Sequence, residues 1–201
     1  MRGIARRISN LACLAYARVG HRLAGIDFVA RLVSRVGPEC TRLLLTRYGA
    51  LIGPETRFKD GIQIDNASGD QDARDSFENL VIGSRCYVGK GCFFDLPDRI
   101  VIEDEAVLSA GVKVLTHADC GDRVMSRYYP RKREPVRIGA GSWIGVDAIV
   151  LCGVELGRCC VVAAGSVVNK SFPDYSVVAG SPARLVKTLA QDGEATSADT
   201  S

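Results

Sequence analysis

Only two side chains of this 201-residue sequence are imidazoles, and they stand far apart at His21 and His117. An imidazole has an unperturbed pKa of about 6.5, so it can take and return a proton near neutral pH. His117 stands three residues after Val114 and directly before a segment of different character, Ala118 to Pro135. That segment holds Arg127, Tyr128, Tyr129, Arg131, Lys132 and Arg133. Arginine pairs with acidic groups and sugars pack on aromatic faces, so the segment can bind an anionic or sugar-bearing molecule. The plainer alternative is a soluble loop that packs on a neighbour. Eight cysteines are present without a Cys-x-x-Cys, and with two distant histidines no metal site is expected. The cysteines make up about 4% of the chain, below the share of a disulfide scaffold, which points to a reducing, cytoplasmic compartment.

The elements that must position His117 announce themselves by period. Ile138, Ile144, Val150, Leu156, Val162 and Val168 recur every six residues, and Ser142, Ala148, Val154, Cys160 and Ser166 form a second, small-residue series two places before the next aliphatic. Six fits neither the 3.6 of a helix nor a long strand, so each unit contains one very short strand and one corner. Residues two apart share a face, which turns both series inward and leaves Trp143, the single tryptophan, pointing out. Gly139, Gly145 and Gly157 supply permissive backbone for the corners. Cys86, Cys92 and Cys160 fall on the small inward position and act as apolar filler. The closed solution is a parallel β-helix.

The six-residue step begins near Ile52 and Gly53, breaks at a polar surface loop from Asn66 to Asn79, resumes at Ile82, and breaks again after His117. A long loop inside a strict repeat is suspected of function. Without the two long loops, Ile52 to Val168 leaves about five coils of 18 residues, a prism roughly 25 Å tall within a domain of residues 50–180. Residues 1–49 carry helical spacing instead, at Ile4, Ile8, Leu11 and Ala15 and again at Leu32, Val36, Leu43 and Leu44, with Gly37 and Pro38 between. Residues 181–201 read as a short helix, Leu185 to Ala190, and a disordered tail from Gln191. The net charge of +3 is too small to argue for nucleic acid. Its distribution is uneven, with nine arginines from Arg2 to Arg47 against only Asp27 and Glu39. Such a segment can make peripheral membrane contact or pack on the coil and on neighbouring subunits. No apolar stretch reaches the roughly 20 residues of a membrane span.

The run from Trp143 through Gly145, Ala163, Ala164, Gly165 and Ser166 to Gly180, Pro182, Ala183 and Arg184 resembles the hexapeptide-repeat acyltransferases, in their galactoside, maltose and xenobiotic acetyltransferase branch. The resemblance covers about residues 50–188. It implies an all-β domain, a left-handed parallel β-helix; ordinary crossovers are right-handed, so the left hand comes from the resemblance alone. It also implies a homotrimer and acetyl-CoA as co-substrate. Thr116-His117 is similar to the point where the family places a general base, although Ala118 departs from the usual pattern. Asp95 and Asp119 are both candidates for the carboxylate that orients it. The resemblance further assigns coenzyme contacts to Trp143, to the backbone at Ala164, Gly165 and Ser166, to Asn169 and Lys170 where relatives have Thr-Lys, and to Arg184 and Lys187 against phosphate.

The activity so implied is O-acetylation of a sugar, polysaccharide or glycolipid precursor, as in polysaccharide biosynthesis. The alternatives are a non-sugar acceptor (an antibiotic, an amino sugar or serine) and a non-catalytic scaffolding β-helix.

Overall fold

The computed structural model describes residues 2–69 and 71–190, with side chains from residue 10 onward; the expected disordered tail from Gln191 lies outside the described residues. From Leu51 the chain winds through short strands that stack into three parallel sheets. The first face comprises Leu51–Ile52, Leu80–Ile82, Ile100–Ile102, Val136–Ile138 and Glu155–Leu156. The second comprises Arg57–Phe58, Tyr87–Val88, Val107–Leu108, Trp143–Ile144, Val161–Val162 and Ser176–Gly180. The third comprises Gln63–Asp65, Phe93–Asp95, Lys113–Val114, Ile149–Val150 and Val167–Val168. The inward residues of each rung stack on their equivalents above and below: Val88, Leu108, Ile144, Val162 and Val178 on the second face are all buried.

The small inward series does more than fill space. The Ser142 hydroxyl donates to Gly157 O at 3.0 Å and accepts from Cys160 N at 3.0 Å. The thiols of Cys86, Cys92 and Cys160 donate to Glu103 O, Ser109 O and Pro173 O at 3.0, 3.2 and 3.2 Å. Each of these bonds reaches from one coil to the next, where a corner breaks the sheet ladder and leaves carbonyls to be satisfied. Burial pushes all three thiols up, Cys92 to about 11, so they remain donors.

The corner glycines divide into two kinds. Gly139, Gly145 and Gly157 do not occupy the left-handed region; a β-carbon on Gly145 would lie 2.5 Å from the backbone nitrogen of Ala164, one coil away. Their role is close approach between coils, not the permissive backbone expected from the sequence. The left-handed corner falls at Gly141, Asp147, Gly153, Cys159 and Gly165, again every sixth residue.

The start of the coil is covered by helices, and at the far end the edge of the second face gains a partner strand. At the start lie α1 (Arg2–Val33), interrupted at Ala24 and Gly25, and α2 (Pro38–Arg47), with Pro38 in its first turn. α1 packs on α2 and on the strand Gln63–Asp65. Arg42 donates to the carbonyls of Thr56 and Gly53, each at 3.0 Å. At the far end the expected helix Leu185–Ala190 is instead the strand Ala183–Thr188, which turns back antiparallel onto Ser176–Gly180. Helix-forming residues take strand geometry there because the open edge of the second face offers unpaired backbone groups.

The Asn66–Asn79 excursion is anchored rather than simply exposed. Ala67 and Phe77 are buried, and the Phe77 ring lies 6.4 Å from that of Tyr48.

Candidate active site

His117 follows the third-face strand Lys113–Val114 at the corner toward the first face. The chain leaves the coil there as an arm: His117–Ala118 pairs antiparallel with Lys132–Arg133, and a short 3-10 helix, Val124–Arg127, forms near its tip. One coil below, Asp95 ends the third-face strand Phe93–Asp95. Stacking brings the two side chains together. Asp95 Oδ2 lies 2.7 Å from His117 Nδ1.

Asp95 is almost fully buried at 1% exposure, and donors surround it. Its Oδ2 accepts from Thr116 N at 2.9 Å and from His117 N at 3.2 Å, and its Oδ1 from Asn66 Nδ2 at 2.7 Å. Thr116, itself buried, donates its hydroxyl to Asp95 O at 2.8 Å and accepts from Asp98 N at 3.0 Å. A carboxylate that accepts from so many N–H groups is an acceptor toward the ring as well, so Nδ1 carries the proton and Nε2 the lone pair. The imidazole remains 21% exposed, and among the described residues Nε2 has no hydrogen-bond partner. The arrangement can therefore accept a proton from a molecule in solvent and stabilise the resulting imidazolium.

Of the two carboxylates left open by the sequence, Asp119 is engaged elsewhere. It accepts from Gly121 N at 2.7 Å and pairs with Arg131 at 3.1 Å. The Gly121 N–H and then the Arg131 guanidinium hold its carboxyl below the usual range. Arg131 also reaches Asp72 at 2.8 Å, and Arg133 lies 3.5 Å from both Asp72 and Asp98. The two excursions are thus fastened to each other through Asp72. Within the arm, Ala118, Tyr128, Tyr129, Pro130 and Arg131 line a cleft of about 550 Å³.

Asn66 and Asp72 were not singled out in the sequence. Asn66 had one legible signal: it stands where the repeat first breaks and adopts a φ of 52°, a conformation that asparagine tolerates better than most residues.

The remaining candidates spread over the prism. Trp143 is exposed on the second face, its indole N–H donating to Ser109 Oγ at 3.0 Å. Ala164 and Gly165 are exposed at the corner between second and third faces. Ser166 is not: its hydroxyl is buried and accepts from Gly180 N at 3.1 Å, and its carbonyl accepts from Ile149 N. Only the outer atoms of this corner can meet a ligand. Asn169 and Lys170 stand on the His117 corner nearer the far end of the coil, with the Lys170 ammonium 5.4 Å from the Phe172 ring centre. Arg184 and Lys187 are exposed on the last strand. Within one chain, therefore, Asp95 joins His117, whereas Trp143 and the Ala164 corner occupy other sides.

A family model for the hexapeptide repeat of succinyl-transferase matches residues 79–116 and 135–170, the coils on either side of the arm. The chain carries hexapeptide repeats over those two stretches. Serine acetyltransferase 2 of Arabidopsis thaliana is 34% identical over 109 residues, 51% of this chain and 30% of that protein. A maltose O-acetyltransferase structure from Clostridium difficile matches with a TM-score of 0.65 at 22% identity, covering 88% of this chain and 89% of the other. A hexapeptide-repeat acetyltransferase of Vibrio cholerae, solved with acetyl coenzyme A, matches with a TM-score of 0.55 at 23% identity over 81% and 84%. These structures share the fold of this hexapeptide-repeat chain. The chain spans 22% to 57% of the length of the first curated relatives it matches.

Proposed function

We propose that this hexapeptide-repeat protein is an acetyl-CoA-dependent O-acetyltransferase acting on a hydroxyl of a sugar, polysaccharide or glycolipid precursor, with His117 as general base. The observation that carries this reading is the 2.7 Å contact between His117 Nδ1 and buried Asp95 at the root of an arm with an aromatic, basic cleft. The thioester of acetyl-CoA supplies the acyl group. Nε2 of His117 takes the acceptor's proton as the new C–O bond forms, and returns it to the sulfur as the C–S bond breaks. Asp95 holds the ring and balances its charge meanwhile. Such help is worth roughly 10²- to 10⁴-fold. Backbone N–H groups at the corners steady the developing oxyanion.

For the coenzyme, the residues present fit. Trp143 offers an exposed aromatic face, and the Ala164–Gly165 corner allows close approach because nothing lies within 4 Å of a β-carbon on Gly165. The outer backbone beside Ser166, together with Asn169, supplies polar contacts. Lys170, Arg184 and Lys187 are exposed cations suited to phosphate. Since Trp143 and His117 occupy different sides of one prism, a groove between neighbouring copies joins them most simply, which favours a homotrimer. Absence of paired cysteines favours the cytoplasm; all eight thiols are free.

The likeness to a serine acetyltransferase favours a second reading, transfer to the hydroxyl of serine or a similar small acceptor. An acceptor screen separates the two. Free thiol released from acetyl-CoA is read with mono- and oligosaccharides, with serine and with amino sugars, beside His117→Ala. The expected result is release with a saccharide and a loss of about 10²- to 10⁴-fold in the variant. Full transfer by His117→Ala would remove the base assignment, and release with serine alone would establish the second reading.

A further inference from the structure

The first half of α1 carries an apolar face turned away from the protein. Between residues 10 and 23 only Ala17 and Gly20 are buried, with Cys13 and Leu14 partly so. The helix lies down along this narrow strip of small residues, and Gly20 sits so close to the Phe28 ring that a β-carbon would overlap it. On the outside, Leu11, Ala15, Val19 and Leu23 recur every fourth residue and are exposed, joined by Tyr16. Leu23 is 81% exposed, a large side chain left almost wholly in water. An apolar row of this length on one helix face calls for a covering surface.

Charge selects what covers it. Residues 1–26 contain Arg2, Arg6, Arg7, Arg18 and Arg22 and no acidic residue; the first is Asp27, whose carboxylate accepts from Ser68 Oγ at 2.5 Å. Arg18 and Arg22 flank the apolar row, are exposed, and form no ion pair among the described residues. Packing the same face of a second copy against it would set arginine against arginine without a counter-charge. An anionic bilayer surface supplies apolar depth for the leucines and negative headgroups for the arginines. No helix among the described residues is long and apolar enough to cross a membrane, so the helix would lie in the interface plane.

We infer that the outward face of α1, Leu11 to Leu23, is a docking site for membranes rich in anionic phospholipid. The inference is independent of acetyl transfer. The test floats the full chain with vesicles of phosphatidylcholine alone or mixed with phosphatidylglycerol. Wild type is expected to rise with the mixed vesicles, not the neutral ones, and to be released by salt. Arg18→Gln or Arg22→Gln should each weaken partition about fivefold. Val19→Glu with Leu23→Glu, both at exposed positions that leave the fold intact by circular dichroism, should abolish it. Partition unchanged in that double variant, equal flotation with neutral vesicles, or none with either would overturn the inference. A fall in molecular mass of the double variant by light scattering without vesicles would instead assign the face to another copy of the chain.

Discussion

The residue on which the candidate site turns is Asp95. Its two oxygens are held by Asn66, Thr116 N and His117 N, so the carboxylate presents one fixed acceptor to the ring and determines which nitrogen keeps the proton. Replacing it by asparagine preserves shape but substitutes an NH₂ for one accepting oxygen. Asp95→Asn is expected to lower kcat by about 10²-fold or more, within the range of general-base help, with KM for acetyl-CoA little changed in steady-state assays. Asp119 behaves otherwise. A carboxyl whose folded pKa is lowered from 3.8 contributes its tie to Arg131 above that value and loses it only as pH falls further. Across neutral pH it stays ionised in both states, so Asp119→Asn should leave the acid limb of the pH–rate profile where it is. A shifted limb would show that Asp119 couples to the base.

At the scale of the element, a hexapeptide corner rests on two different demands. Gly145 is there because the next coil is too close for a β-carbon, with backbone rather than a movable side chain in the way. Gly165 has open space but a φ of 67°. Gly165→Ala should therefore cost about 1–2 kcal/mol, the strain of a left-handed residue, whereas Gly145→Ala must push two coils apart and should cost clearly more. Thermal unfolding of both variants checks the order; equal losses would mean that the coils slide apart freely. The Asn66–Asn79 and Ala118–Pro135 excursions belong to this scale too. Their ion pairs through Asp72, Arg131 and Arg133 tie the arm that begins at His117 to the first excursion, although neither carries the repeat.

For the whole molecule, the stacked interior makes stability sensitive to alkali. The Cys92 thiol is pushed up from 9.0 to about 11 by burial. A group with a raised folded pKa contributes fully below its unfolded value and loses that contribution as pH rises through the folded one. Between pH 9 and 11 this thiol alone should remove about 2 kcal/mol. Melting curves of wild type and Cys92→Ala across that interval should converge as pH rises, and parallel curves would count against the assignment.

The period of six in Ile138 to Val168 was enough by itself to dictate a β-helix, because inward and outward positions follow from strand alternation and need no partner to be known. It also marked His117, where the period stops, and turned Trp143 outward. Asp95 as partner of that histidine was decided only by the tertiary structure, since the two stand on adjacent coils and 22 residues apart in sequence. Tertiary contacts likewise made Leu185 to Thr188 a strand, through an edge that existed only once the coil had formed, and gave Gly145 its role through a neighbour one full turn away. Local patterning determined the repeat; distances between turns of the coil, which no local pattern encodes, decided what its side chains meet.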